Sequence, residues 1–275
     1  YPDPFEGAVK RTESRELLQK MQELQGDAIF LVFSDVWLDN ESCLTKFGQL
    51  LRSQFSDAPP AVIVMMGKFL SSIPPDGSKA MKAYEDGFER LARLISSIKP
   101  VKNQTRFVFV PSQEDAFYPN IIPRPSLPVE LFEVFRQLGI DHVAASNPCH
   151  ISFFNRNILF FRQEATAILE RCRVNSINHK DASCSGQVLL DQACLSPVPL
   201  TVQPAQWTMD HALCPYPSPD ILCLAEKLIP SLTEHNWCKI VNPGDFLRNG
   251  LSYVIIQPAL NNVFIRYSNK AQKFK

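Results

Sequence analysis

Apolar positions along the chain alternate between two periods. Residues 12–25, TESRELLQKMQELQ, place Leu17, Leu18, Met21 and Leu24 on one helical face, and Gly26-Asp27 supplies a stop. A continuous apolar run, AIFLVF at 28–33, then predicts a buried strand. Helical spacing returns at 43–55 through Leu44, Phe47, Leu51 and Phe55; DAPP breaks the chain, and AVIVMM at 61–66 predicts a second strand. From about 78 to 98, Met81, Tyr84, Phe88, Leu91, Ile95 and Ile98 share one face of a longer helix. RFVFV at 106–110 predicts a third strand, and PVELFEVFRQLG a helix with Pro128 at its start and Gly139 at its end. Continuous apolar strands separated by amphipathic helices predict a mainly parallel sheet covered on both faces.

The second half changes character. HISFFNRNILFF (150–161) has the pattern of a hairpin, DILCLA (220–225) and WCKIV (237–241) are apolar strands, and LSYVIIQP with VFIRYS close the chain as alternating, antiparallel-type strands. A second sheet is therefore expected. Prolines cluster in IIPRPSLP (121–128), SPVPL (196–200) and CPYPSPD (214–220), which predicts long, stiff surface connections. No internal repeat and no low-complexity segment interrupts this order.

Composition narrows the classes. With 275 residues and 45% hydrophobic content, the chain suffices for one large domain spanning 1–275. No run approaches the roughly 20 apolar residues of a bilayer span, and the start at Tyr1 has neither an initiator Met nor a signal pattern. A soluble piece of a longer protein is the expectation. The 28 basic and 28 acidic residues cancel, which argues against a dedicated nucleic-acid-binding domain and against an independent single-stranded DNA module. Eight cysteines (43, 149, 172, 184, 194, 214, 223 and 238) lack a CxxC pair and are expected as reduced, core-packed thiols.

The remaining features favour plain structural roles. His142, His150, His179, His211 and His235 are too dispersed for a metal motif, and Cys172, Cys184 and Cys194 around His179 match no compact zinc module. No G-x-S-x-G elbow exposes a serine nucleophile. Gly67 and Gly186 are expected in ordinary turns, Trp207 and Trp237 in the core, and KAQKFK at the C-terminus as a solvated tail.

In open α/β sheets, chemistry gathers at the carboxyl ends of strands. After AIFLVF comes SDVWLD; after AVIVMM, GKFLSS; after RFVFV, PSQEDA; after DILCL, AEKLIP; after CKIV, NPGDF. Those five loops, in that order, resemble the calcineurin-like metallophosphoesterases, whose blocks run D-x-H, G-D-x-x-D, G-N-H-[DE] and G-H-x-H. The resemblance implies a two-sheet α/β sandwich flanked by helices. It also locates the departures. Asp35 matches the first aspartate, but Trp37 stands at the histidine. Gly67 is kept, Lys68 replaces the bridging aspartate, and Ser71 takes the later acid. Ser112-Gln113-Glu114-Asp115 keeps only the last member of its block, Ala225-Glu226-Lys227-Leu228 has no imidazole, and an isolated histidine aligns loosely near Cys194.

A lysine ammonium facing a divalent cation is strongly repulsive in a poorly solvated pocket, so the expectation is a catalytically degenerate fold without metal or other cofactor. Asp35, Trp37, Gly67, Lys68, Glu114, Asp115, Glu226 and Leu228 are its vestigial pocket positions. Lys68 is expected to neutralise Asp35 or Glu226 in place of the cations. The competing reading is a working phosphodiesterase with rearranged ligands Asp35, Asp39, Glu114, Asp115 and Glu226.

The wording of the loops goes further. SDVWLD, RFVFVPSQED with IIPRPSLP, NPCHI (147–151), LSPVPLTVQPAQWTMDHAL, YPSPDILCLAEK and NPGDF together resemble the B-subunits of the eukaryotic replicative DNA polymerases, most closely the epsilon branch, over almost the whole chain from about residue 5. Members carry an OB domain and a small helical domain ahead of the phosphoesterase-like one; this chain starts too late to include them intact. The resemblance implies a nuclear, non-catalytic scaffold subunit in a heteromeric complex. It would bind the C-terminal region of the catalytic subunit and link it to the replicative helicase, touching DNA only indirectly or weakly and no membrane. A B-subunit of another replicative polymerase is the near alternative.

Overall fold

The computed structural model describes residues 18–172 and 184–268. Leu17, His179 and the tail at 270–275 lie outside them. A short helix α1 over residues 18–24 leads to strand β1 (Phe30–Ser34), which is followed by α2 (Glu41–Gln54), β2 (Val62–Met66), α3 (Gly77–Ser96), α4 (Lys99–Gln104) and β3 (Arg106–Val110). These follow the periodicity closely except for α4, a short helix where the polar stretch before RFVFV reads as a loop. Asn40 caps α2 by accepting from Cys43 N–H at 3.0 Å, and Asp76 caps α3 by accepting from Ser78 N–H at 3.0 Å, so each helix starts where a side chain satisfies a free amide. PVELFEVFRQLG forms a 3-10 turn (Val129–Phe132) and then α5 (Glu133–Gln137), stopped by Gly139 at φ +65°.

The first sheet has the order β11-β10-β1-β2-β3-β4. Strands β1, β2, β3 and β4 (His142–Ala144) run parallel; β10 (Ser252–Gln257) and β11 (Asn262–Tyr267) add an antiparallel edge, as their alternation predicts. The second sheet has the order β5-β6-β7-β9-β8. Here β5 (Cys149–Phe153) and β6 (Arg156–Arg162) form the expected hairpin, β6, β7 (Ile221–Ala225) and β9 (Cys238–Asn242) run parallel, and β8 (Ser231–His235) forms an antiparallel edge.

Alternation within the strands sorts the core into layers. Val32, Val64, Met66 and Val108 face Phe160, Cys223 and Val241 between the sheets. Leu31, Phe33, Met65, Phe107 and Phe109 point the other way, against α2, α3 and α5. Leu159, Phe161, Leu222 and Leu224 pack under α6 (Ala165–Arg171) and α7 (Cys184–Asp191). The result is a two-sheet α/β sandwich flanked by helices on both outer faces, as the metallophosphoesterase resemblance implies; the first sheet is covered by helices on one face only, because the second sheet takes the other. No helix among the described residues is long and apolar enough to cross a membrane.

Several expectations fail for physical reasons. Met21 and Leu24 are exposed and Gln22 is the buried residue of α1, because its amide donates to Ala259 O at 2.7 Å. Gly186 lies inside α7, where an added Cβ would stand 2.6 Å from Ile240, so it serves helix-on-sheet packing rather than a turn. Trp207 and Trp237 are not core residues: they are 80% and 90% exposed. Seven described cysteines are unpaired; Cys43, Cys149, Cys223 and Cys238 are buried, whereas Cys214 is exposed. Burial pushes the Cys43 and Cys149 thiols up to about 11, as for inert core thiols.

Candidate functional site

The carboxyl ends of the parallel strands of both sheets meet at one edge. At its centre Asp35 leaves β1 with φ +56°, a left-handed turn that aspartate tolerates better than most residues, and the residue is only 1% exposed. Both carboxylate oxygens are taken. Oδ1 accepts from Lys68 N–H at 2.8 Å and from the Arg162 guanidinium at 3.1 Å; Oδ2 accepts from the same guanidinium nitrogen at 3.0 Å and from Ser34 Oγ at 3.1 Å.

Arg162, absent from the pocket positions read from sequence, organises the edge. It ends β6 with a side chain 2% exposed. Nε donates to Gly67 O at 2.6 Å, Nη1 to Ala225 O at 3.0 Å and Glu164 Oε1 at 2.8 Å, and Nη2 to both Asp35 oxygens. All three guanidinium nitrogens therefore donate inside the protein. Burial opposes the charge, but Asp35 and Glu164 outweigh it and hold the guanidinium proton above its ordinary range. Asn147 fixes the backbone of Arg162 by accepting from its N–H at 3.0 Å and donating to its carbonyl at 2.7 Å.

The Lys68 ammonium does not reach Asp35 or Glu226. It stands 3.7 Å from Glu114, which also pairs with Lys227, while the backbone N–H of Lys68 is what touches Asp35. The expected charge substitution thus exists in a different form: guanidinium on Asp35, two ammoniums on Glu114. Partial burial raises the Glu114 proton affinity, but Lys227, Arg162 and Lys68 more than reverse this and hold it below the carboxylate range.

Asp115 ties three elements together. Its oxygens accept from Phe69 N–H at 2.9 Å, Tyr84 Oη at 2.8 Å and Ser112 N–H at 2.8 Å. Burial pushes its proton affinity up against these donors and Arg124. Gly67 is required here, because a Cβ would lie deep inside contact distance of Asp115 Oδ2 and 2.9 Å from Ser112 N. Glu226, 2% exposed, accepts from Thr166 N–H at 2.6 Å, Thr166 Oγ1 at 2.9 Å and Ser185 Oγ at 3.5 Å, and burial pushes it up to about 7. Asp39 holds Ser71 through its N–H at 2.8 Å and its hydroxyl at 2.5 Å.

Trp37 is partly buried against the first core layer, with the Arg248 guanidinium 5.1 Å above its ring, and Leu228 is partly exposed. Cys194 sits past α7, its N–H bonded to Leu189 O, and shares no hydrogen bond with this cluster among the described residues.

A two-cation centre needs carboxylates with free lone pairs, joined by amide oxygens or imidazoles. Asp35, Asp115, Glu226 and Glu114 spend their oxygens on protein donors, and Trp37 and Lys68 offer no lone pair. His142 stacks on Phe132 at 5.3 Å and His235 meets Asp191 at 2.7 Å, both away from the edge. Among the described residues no three His, Cys, Asp or Glu side chains converge as a metal cluster. The side chains present do not fit a metal pair.

A family profile for the B-subunits of DNA polymerases alpha and epsilon matches residues 30–232. Human "DNA polymerase epsilon subunit 2" is 35% identical over 248 residues, covering 90% of this chain and 46% of that protein. The Drosophila melanogaster protein of the same name is 26% identical over 250 residues, covering 90% of this chain and 46% of its own length. The chain therefore spans about half the length of the curated relatives it matches. Among solved structures, a novel archaeal phosphodiesterase aligns with a TM-score of 0.45 at 10% identity, over 86% of this chain and 98% of that one.

Proposed function

The chain belongs to the B-subunit family of DNA polymerases alpha and epsilon, and from that premise we propose that it is the phosphoesterase-like part of a non-catalytic accessory subunit of the polymerase epsilon complex. The family is accessory to DNA replication, and its members are parts of a heteromeric polymerase. Within that assembly the chain acts as a scaffold, holding the C-terminal region of the catalytic subunit and linking it to the replicative helicase in the nucleus. One observation carries the non-catalytic reading: the Arg162 guanidinium engages both oxygens of Asp35 inside the protein, and Lys68 N–H and Ser34 Oγ donate to the same two oxygens. A ligand set closed in this way leaves no oxygen to hold a cation that would activate water.

A rigid edge suits a scaffold, since pre-ordered surface lowers the cost of ordering on binding. The test has two arms. The purified chain is assayed for bis-p-nitrophenyl phosphate hydrolysis with Mn²⁺ or Mg²⁺, and titrated with Mn²⁺ in a calorimeter. Neither turnover nor stoichiometric binding is expected. Hydrolysis abolished by Asp35→Ala would establish the rearranged phosphodiesterase instead. In the second arm, the full-length accessory protein is co-expressed with the catalytic subunit, and recovery of a stoichiometric complex is the expected result.

A further inference from the structure

Beside the closed edge, two segments lie side by side. Ile122 N–H donates to Pro204 O at 3.1 Å and Gln206 N–H to Ile122 O at 2.7 Å, so residues 118–122 run along 202–207. Tyr118, Ile121, Val202, Trp207 and Met209 are all exposed on these segments and the 3-10 turn that follows, Trp207 most of all at 80%. In sequence they come from distant proline-rich stretches; in the fold the parallel Ile122–Ala205 bridge brings the two stretches side by side, and these exposed residues make up the Trp207 strip.

The strip is held from beneath by buried polar groups. Arg124 is fully buried and donates to the carbonyls of Asp115, Pro119 and Tyr118, fixing the 115–119 loop. Gln203, 2% exposed, accepts from Gln113 Nε2 at 3.0 Å and Gln163 Nε2 at 3.3 Å and donates to Asn120 O at 3.5 Å. Such anchoring fixes the backbone while leaving the aromatic and aliphatic side chains outward. Rigid, exposed Trp and Tyr on a pre-ordered backbone are the residues that dominate binding energy at protein interfaces.

Charge decides what can cover it. Residues 181–226 and 107–123 contain no lysine or arginine, and Asp210, in the same 3-10 turn as Trp207, puts an acidic charge beside the strip. A polyanion needs cations for counterion release and finds none on these segments. An apolar protein surface with basic side chains at its rim is complementary. We propose that the Trp207 strip docks the catalytic subunit of the polymerase, through an apolar face of that subunit that sets Lys or Arg opposite Asp210. This rests on the accessory-subunit reading above and assigns it a surface.

The experiment uses the full-length accessory protein and titrates it with the purified catalytic subunit. Ile121→Glu/Trp207→Glu is expected to weaken binding at least about 30-fold, the loss typical of hot-spot residues, with an unchanged melting temperature. Trp237→Glu, also highly exposed but at the β8–β9 turn, is expected to stay within about twofold, as for a residue outside the contact. If the double variant melts lower, Trp207→Ser alone decides, with a loss of about fivefold or more expected. Wild-type binding that either Trp207 variant leaves intact, or that Trp237→Glu weakens as much, overturns the docking face and leaves the accessory reading standing. Failure of the wild-type protein to bind overturns both.

Discussion

Replacing Arg162 by methionine removes the cation from a closed network and leaves its acceptors in place. Asp35 would remain buried with only Lys68 N–H and Ser34 Oγ as donors, and Gly67 O and Ala225 O would lose a partner each. Breaking a buried pair by deleting one member costs about 3–5 kcal/mol, and each stranded carbonyl adds about 1 kcal/mol. Because these losses overlap, the expected destabilisation is about 4–6 kcal/mol, at the top of the range for a point substitution. Asp35→Asn strands the guanidinium instead and should cost about 3 kcal/mol. The double variant Asp35→Asn/Arg162→Met removes both charges and should be no less stable than Arg162→Met alone, which leaves an interaction energy of about 3 kcal/mol in the cycle. Urea unfolding of the four proteins, with a common m-value, measures it. High salt should change the result little, since a pair this deeply buried is weakly screened. If Arg162→Met costs under about 1 kcal/mol, or the two single effects simply add, the guanidinium does not hold Asp35 in the manner described.

Two further outcomes follow from the same edge. Gly67→Ala should lower the melting temperature sharply, by a loss of about 3 kcal/mol or more from overpacking, because the new methyl meets Asp115 and the Ser112 amide; a tolerated alanine would show that the 67–68 and 112–115 loops do not approach as closely as this. Glu226 has a folded-state proton affinity raised to about 7 from 4.5, so the folded protein holds the extra proton between these values and stability falls as pH rises through that window. Glu226→Gln, which keeps an acceptor for Thr166 N–H, should flatten the slope, changing the pH 5 to pH 8 stability difference by at most about 3 kcal/mol; identical slopes in urea titrations of the two proteins would refute this.

Much of the architecture is legible in the order of apolar runs, and the exceptions share a cause. β4 and β8 escape the pattern because edge strands need little apolar character: SLTEH in β8 has no fully buried residue and its partner is β9 alone. The outward tryptophans defy the core expectation because hydrophobicity gives the cost of exposure, not which positions the turns between elements leave at the surface. At the site, Asp35, Gly67 and Asp115 are legible as strand-end residues. Arg162 is not, although it also ends a strand. The hairpin pattern at 150–161 is correct for β5 and β6 but stops at Phe161, whereas β6 also runs parallel to β7 and so delivers Arg162 to the same edge. The letters RQE after NILFF are the available signal, and only the sheet order makes them part of the site.

Arg162 also has a mechanical meaning. It is rooted in one sheet and grips the other, bonding Ala225 O on its own side and Gly67 O and Asp35 across the sandwich. A bound ion in that place could be stripped by a chelator or exchanged with its surroundings. A guanidinium is attached to the chain and cannot leave. The two sheets are therefore fastened against sliding at this edge from the moment the protein folds, at any metal concentration.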